Sequence, residues 1–430
     1  MPLVGDRADY YNVPIYALTA NRLLATLGSL KGEVNCDICV VGAGFTGLSA
    51  AFELALKGFS VIILERTEIG SGAAGRNGGQ LIRGFAQSPD WLTEKYGAPA
   101  AKFMSNVSLE GLALILARIN NLGIKCDLKF GHMTAALEQK HMADLKGEIK
   151  AWEKIGHDDL QMMGKDEVQD LIKTKAYIGG MFDPKGAHIH PLNYALGLAQ
   201  AAQKAGAKIY DHTTVLRVIP GDTPKVVTSQ GSVTAKYVIL AGAIGMEGAK
   251  SIRRKSITAT AHMIATEPLG ERRARNIMGR DIAVSDARFI MDYYRLSGDY
   301  RVLFGGNCNY SDKGYAGEDQ RLRQRMIKIF PQLQSTRIDN CWSGQLEFTI
   351  NRMPALGRLS PTVYYAHGFG GHGVIATNIL GKIMADAVSG QAQRFDVFAK
   401  IKHQPFLGGD LLKRPLFVLG MTWYRLRDML

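Results

Sequence analysis

Two glycine clusters and the polar groups beside them hold most of the chemistry that can be read from this 430-residue chain. Gly42-Ala43-Gly44-Phe45-Thr46-Gly47 has the spacing G-x-G-x-x-G. Cys36 to Val41, just before it, reads as a buried strand. Leu48, Ala51, Phe52 and Ala55 recur at helical spacing after it, and Phe59 to Leu64 reads as a second buried strand that ends in Glu65 and Arg66. Each part has a physical use. The first glycine permits a tight turn, the second lets a pyrophosphate approach the backbone, and the third lets the helix pack on the strand. The helix N-terminus carries about half a positive charge toward the phosphates. An acid about 20 residues downstream suits a ribose hydroxyl.

The second cluster, "GSGAAGRNGGQ" from Gly70 to Gln80, follows at once. It cannot form a core, and its glycines imply positive φ or close approach by another group. The first motif alone does not choose between NAD and FAD. A longer, extended cofactor needs side-chain-free backbone past the second strand, and FAD is such a cofactor. Gly72, Ala73, Arg76, Asn77, Gly78, Gly79 and Gln80 are therefore expected along it, with Gly78 and Gly79 leaving room for the ring system. A third strand–glycine–helix unit runs from Thr362 to Ala366 through "HGFGGHGV" into a helix at about Val374 to Ser389, and its N-terminus can hold partial negative charge.

The elements that must position these groups divide into two textures. Segments 32–88, 191–250 and 350–400 read as a discontinuous, Rossmann-like α/β cofactor domain. It includes a helix from Pro191 to Ala205 and strands over Lys208 to Val218 and Val233 to Ala241. Segments 89–190 and 251–349 read as a mainly antiparallel α+β substrate domain. Its strands are "FGHMTAALEQ", "IGGMFDP", "ITATAHMIATEP", "FIMDYYRL" and "YRVLFGGNCNY", and "GEDQRLRQRMIKIFPQL" is its amphipathic helix. Residues 1–31 are an extension and 401–430 a tail.

Composition fits a folded two-domain chain, with 46% hydrophobic and 21% charged residues. The net charge of +13 is spread out, and no zinc-finger spacing or RNA-binding signature accompanies its short basic clusters, so nucleic acid is not an expected partner. Five cysteines are few for a disulfide framework and suggest a reducing cytosol. Cys36 and Cys39 lie three apart in a strand, where they should face opposite sides, so they read as core rather than a redox pair. Asp6, Arg7 and Asp9 interrupt any leader. His188 and His190 share a face but lack an evident third ligand, so no metal is expected.

"VVGAGFTGLSAAFELALKG", "GAAGRNGGQ", "GAHIHPLNYALGLAQAAQKAGAKIY", "YVILAGA" and "GFGGHGV" resemble the D-amino-acid oxidase, glycine oxidase and sarcosine oxidase superfamily of flavoproteins. "YYNVPIYALTANR", "MDYYRL" and "FLGGDLLKRPLFVLGMTWYRLRDML" are similar to its gamma-glutamylputrescine-oxidising subgroup. The resemblance implies that Val215 meets the adenine through its backbone and that Ala241 and Gly242 lie near the cofactor. It also places Gly370, Gly371, His372, Gly373 and Val374 at the flavin's pyrimidine edge. His372 is then a flavin or substrate contact, or a helix cap. His262 faces the pocket or the core. One of Tyr293 and Tyr294 lines an amine pocket or both are sheet core. Glu347, where amino-acid-oxidising relatives offer an arginine and this chain delays it to Arg352, meets a cationic amine tail or is a surface residue. Covalent relatives use a cysteine after the last substrate-domain strands. Gln345 to Pro354 has none, so FAD is expected to be non-covalent.

The implied activity is oxidative deamination of an amine, gamma-glutamylputrescine or a related polyamine derivative, to an aldehyde and ammonia. Oxygen reoxidises the flavin. One alternative is an amine or amino-acid dehydrogenase that passes electrons to quinone, and another is a redox-silent FAD-holding subunit. Small-molecule amines are the expected partners, with a homo-oligomer open. The location is cytoplasmic, with peripheral contact at the inner membrane face as a second reading. There Lys413, Arg414, Arg425 and Arg427 flank Phe417, Val418, Leu419, Trp423 and Tyr424.

Overall fold

The computed structural model describes residues 12–21, 24–25, 27–242, 250–309, 317–406 and 412–419. Of the tail, Trp423, Tyr424, Arg425 and Arg427 lie outside the described residues, as do Tyr10, Tyr11 and Arg22 of the N-terminal "YYNVPIYALTANR".

The first sheet has its most apolar strands at its centre. Gly32–Val41 pairs in parallel with Val61–Leu64 on one side and Gly231–Leu240 on the other. Lys208–Tyr210 extends one edge and Val363–His367 the other, both in parallel, and Ala355–Ser360 closes that edge as an antiparallel hairpin partner. Near-continuous apolar runs such as Val61 to Leu64 are what a strand covered on both faces requires. Helices Phe45–Leu56, Pro191–Lys204 and Gly373–Val388 cover one face with the largest core cluster. An antiparallel meander, Val215–Ile219 with Lys225–Thr228, leads into Gly231–Leu240. The single strand expected over Lys208 to Val218 is thus two. The chain leaves the sheet after Tyr210 and re-enters at Val215, with His212 between them at positive φ.

Helices Pro89–Tyr96 and Ala98–Asn121, assigned by sequence to the second domain, pack on the first core through Leu92, Met104, Leu112 and Ile115. A side chain at Gly111 would meet Ile375 Cγ2 at 2.8 Å, so the long helix lies directly against Gly373–Val388. Among the described residues, Ala98–Asn121 is the one helix long and apolar enough to cross a bilayer.

Cys36 and Cys39 depart from the expectation of opposite faces. The Asp37 and Ile38 amides both donate to the Ser60 carbonyl, and this irregularity resets the alternation. Both thiols therefore pack into the same cluster behind the sheet. Burial pushes Cys36 up to about 12, so it is core and not a reactive thiol.

The second sheet runs Ile338–Thr349, Ser256–Thr266, Val302–Asn309, Tyr293–Leu296, Ala283–Asp286, Lys129–Ala136, Gly179–His188, Gln80–Leu81, with Gln161–Gly164 added on Gly179–His188. It is antiparallel except where Ala283–Asp286 meets Lys129–Ala136. Its strand Gln80–Leu81 comes from the glycine-rich loop, so that loop is pinned between the two sheets. Helix Glu318–Ile329 buries Leu322, Met326 and Ile329 against the outer face.

Candidate active site

Two cavities meet between the sheets, one of about 1060 Å³ and one of about 960 Å³. The first is a groove over the C-terminal ends of the parallel strands, where ligands of open α/β sheets bind. Gly42, Gly44, Phe45, Thr46, Glu65, Arg66, Val215, Ala241 and Gly242 line one part of it. Gly72, Ala73, Arg76 and Asn77 continue it, and it ends at His262, Glu347, Gly370, Gly371, Gly373 and Val374.

The local geometry explains the glycines. A Cβ at Gly47 would collide with the Gly42 carbonyl oxygen, so this residue serves helix–strand packing and does not line the groove. A Cβ at Gly44 would meet only Ala74 Cβ, at 3.9 Å, so the backbone there is open to the groove. Gly44 caps helix Phe45–Leu56 without any side-chain hydrogen bond, which leaves the first helical amides for a ligand. The Glu65 carboxylate accepts from the Ala43 amide at 2.8 Å and, through its other oxygen, from the Thr67 amide at 3.0 Å.

At the far end, Gly368, Gly370 and Gly371 all have positive φ, a conformation glycine adopts without strain. They turn the chain into helix Gly373–Val388, whose N-cap His372 makes no side-chain cap bond. Glu347 organises this turn. Its carboxylate accepts from Ser256 Oγ, faces His367 Nδ1 at 3.1 Å and accepts from the Gly368 amide at 3.2 Å. The acid expected to meet a cationic substrate tail is thus engaged by its own chain, and it is a support for the glycine turn.

The second cavity shares Ala73, Arg76, Gln345, Leu346, Gly370 and Gly371 with the first, so the two open into one another. Arg76 sits at this junction. Its Nε donates to the Ser71 carbonyl at 2.8 Å and its Nη1 to Ser343 at 3.2 Å, and no carboxylate pairs with it among the described residues. Gly78, Gly79, Gln80, Tyr293 and His372 line only the second cavity. At Gly78 and Gly79, expected to leave room for a ring system, the side-chain direction is filled by protein while the backbone borders the cavity. A Cβ at Gly78 would touch the Tyr293 ring at 3.0 Å, and one at Gly79 would collide with the Ile189 carbonyl oxygen. Asn77 acts within its own loop, donating to Ala73 and Ala74 carbonyls and accepting from the Gly79 amide.

Tyr293 and Tyr294 separate as strand alternation requires. Tyr293 faces the cavity, whereas Tyr294 is buried behind the sheet, stacked on Phe304 and donating to Tyr177. Tyr294 is therefore withdrawn from the site. His262 lies in the groove wall with Nδ1 buried and without a hydrogen-bond partner, and burial lowers its basicity. Burial, then the Arg352 guanidinium, depresses His372 to about 4, which keeps the ring neutral. His188 and His190 hold structure: one ring lies 3.1 Å from Asp281 and the other caps helix Pro191–Lys204.

Sequence reasoning missed much of the second cavity. Arg83, nearly fully buried, is forked between Asp183 and Asp159. His132, depressed by burial to about 4, lies 3.1 Å from Ser285 Oγ. Asp144, Glu148, Arg288, Phe289, Met291 and Arg352 complete the wall, and Phe406 and Phe417 arrive from the tail. The arginine directly after the glycine loop was the available signal, since an unpaired charge does not survive there.

Residues 37–387 match the DAO family, FAD-dependent oxidoreductases. The chain belongs to this family. It is 38% identical to gamma-glutamylputrescine oxidoreductase of Escherichia coli strain K12 over 96% of its own length and 98% of that relative. It is 37% identical to the probable oxidoreductase OrdL of Haemophilus influenzae over 92% of each chain. Glycine oxidase from Geobacillus kaustophilus shares the fold, with a TM-score of 0.71 at 23% identity over 83% of this chain and 95% of that one. This DAO-family chain is an FAD-dependent oxidoreductase, and its site suits that cofactor. Two helix N-termini without side-chain caps reach one groove at separate points, through Gly44 and Phe45 and through Gly373 and Val374, as a ligand with two electron-rich parts requires.

Proposed function

We propose that this DAO-family chain oxidatively deaminates the primary amine of gamma-glutamylputrescine or a closely related polyamine derivative, giving an aldehyde and ammonia, with oxygen as electron acceptor. The observation that carries the reading is the junction of the two cavities, where the cofactor groove opens onto a second chamber lined by groups of both charge signs. A substrate with an ammonium at one end and a zwitterionic glutamyl group at the other needs both signs. Asp144 and Glu148 offer one and Arg352 the other, while Arg288 is held by Asp286 and Asp292. The relative named for gamma-glutamylputrescine supports the same choice.

Within this reading, Gly42, Gly44, Phe45, Thr46, Glu65 and Arg66 hold the dinucleotide part, with Val215, Ala241 and Gly242 beside it. Ala73, Arg76 and Gly370 to Val374 hold the flavin part. Bound FAD supplies a two-electron acceptor for the carbon beside the amine nitrogen. The protein's task is to orient that carbon and to receive the amine uncharged. Deprotonating an amine of pKa about 10.4 at neutral pH costs about 4.6 kcal/mol. Tyr293, the neutral rings of His132 and His372, and the flanking apolar groups favour the uncharged form by limiting hydration. FAD is held without a covalent bond, because Cys341 lies outside both cavities and packs toward the second core.

Anaerobic mixing of the purified flavoprotein with an amine panel tests the proposal. Gamma-glutamylputrescine should bleach the flavin band faster than putrescine, glycine or sarcosine, and admitting oxygen should restore the band with hydrogen peroxide. Bleaching by a simple amino acid in preference would overturn the substrate class.

A further inference from the structure

The helix over residues 412–419 is inverted relative to an ordinary surface helix. Lys413, Arg414, Phe417 and Val418 turn toward the protein, and leucines turn to solvent. Leu412, Leu416 and Leu419 are 51%, 47% and 66% exposed, and their spacing of four and three puts them on one face. The inner face is firmly seated. Lys413 Nζ donates to the Arg253 carbonyl at 3.1 Å, and Arg414 reaches Thr258 Oγ1 at 3.4 Å. Phe417 meets Phe406 edge-on at 6.0 Å, and both rings line the second cavity. The leucine face is therefore fixed at the cavity's outer wall, where Met291 and Ile350 are also exposed.

Among the described residues, the segments that surround this face carry charges of one sign. The Phe406 amide donates to the Arg254 carbonyl, and the Lys402 carbonyl accepts from Asn351. Segments 252–258, 349–352, 402–406 and 412–419 are brought together by these contacts. They carry Arg253, Arg254, Lys255, Arg352, Lys402, Lys413 and Arg414 and contain no aspartate or glutamate. An exposed apolar row inside a basic rim is the pattern of an interfacial element, and the whole chain adds a net charge of +13. A second copy would bring the same basic rim against this one and be repelled. We propose that this face docks on an anionic lipid bilayer, with the three leucines entering the interface and the exposed Arg253, Arg254 and Lys402 beside them facing the headgroups. Docking places the outer end of the substrate cavity at the membrane surface.

The test uses the full-length, FAD-loaded protein and co-sedimentation with vesicles of mixed phosphatidylglycerol and phosphatidylcholine or of phosphatidylcholine alone. Wild type should bind the anionic vesicles, bind the neutral ones far less and release as salt rises. The Leu412→Ser/Leu416→Ser/Leu419→Ser variant, altered only at exposed positions, should bind at least about tenfold more weakly with its flavin spectrum and Tm unchanged. Absence of wild-type binding, or equal binding by both proteins, overturns the proposal. So does sedimentation velocity showing a wild-type dimer that the triple variant abolishes, which would assign the face to a second copy.

Discussion

Glu65 and Ala43 are joined across the mouth of the first glycine turn, the carboxylate oxygen accepting the backbone amide at 2.8 Å. The acid at the end of the second strand thus holds the turn in shape as well as bordering the groove. Charge-assisted hydrogen bonds of this kind contribute about 1.5–3 kcal/mol. Glu65→Ala should weaken FAD binding at least tenfold, measured by titrating FAD into apoprotein. Unchanged affinity would mean that neither the turn nor the ribose depends on this acid.

Arg76 places a half-buried cation, with no acidic partner among the described residues, where the two cavities meet. Reduced flavin carries negative charge, so this cation should favour reduction. Arg76→Met should lower the flavin midpoint potential by about 30 mV, the two-electron equivalent of about 1.4 kcal/mol. Arg76→Lys should lie between. A potential unmoved in both variants would remove Arg76 from the flavin's neighbourhood.

Two glycines separate binding from folding. Gly44→Ala should yield a folded protein with little FAD, because its Cβ projects into open groove. Gly79→Ala should instead destabilise the apoprotein by more than about 1 kcal/mol, because its φ is +73° and its Cβ meets the Ile189 carbonyl. Thermal melts of both apoproteins, with flavin content per chain, check the pair. The reverse outcome would invert their assigned roles.

Stability should fall on the acid side through the buried imidazoles. His132 is depressed to about 4 in the folded protein, against about 6.5 in an unfolded chain. The unfolded state therefore binds a proton that the folded state refuses between these values. The contribution is complete above about 6.5 and is lost as pH falls toward 4, at up to about 1.4 kcal/mol per pH unit for this group. Urea midpoints at pH 7, 6 and 5 should decline, and His132→Gln should flatten the decline. An equal slope in the variant would place the acid sensitivity elsewhere.

Cys341 sits in strand Ile338–Thr349, and burial pushes its thiol up to about 12. Acid precipitation should leave all yellow colour in the supernatant. Colour in the pellet would require a covalent link at another residue.

The parts of the site legible in sequence were those that depend on backbone alone. Gly42, Gly44 and Gly47, the strand–turn–helix order around them, and the glycine turn before Gly373 could be read because tight turns leave few residue choices. The substrate chamber could not. Its wall draws Arg83, His132, Arg288 and Phe417 from segments far apart in the chain, and the position of Arg83 after the glycine loop does not reveal that Asp159 and Asp183 will be its partners. Glu347 shows the same limit from the other side. The residue is a plausible substrate contact by type, but its partners Ser256 and His367 come from two other strands. Strand lengths failed where the chain breaks for a local reason, as between Tyr210 and Val215. The helix pair at 89–121 was misassigned because an apolar helix does not announce which core it joins.

The parallel sheet has a temporal consequence. Val363–His367 pairs directly with Gly231–Leu240, and the glycine turn that closes the groove follows it. A chain emerging from the ribosome can form its first glycine turn early, yet it lacks this wall of the groove until about residue 374 has left the exit tunnel. Long-range parallel pairing of this kind is slow. Stable capture of FAD therefore waits for that segment, and until then one flank of Gly231–Leu240 stays unpaired and open to aggregation.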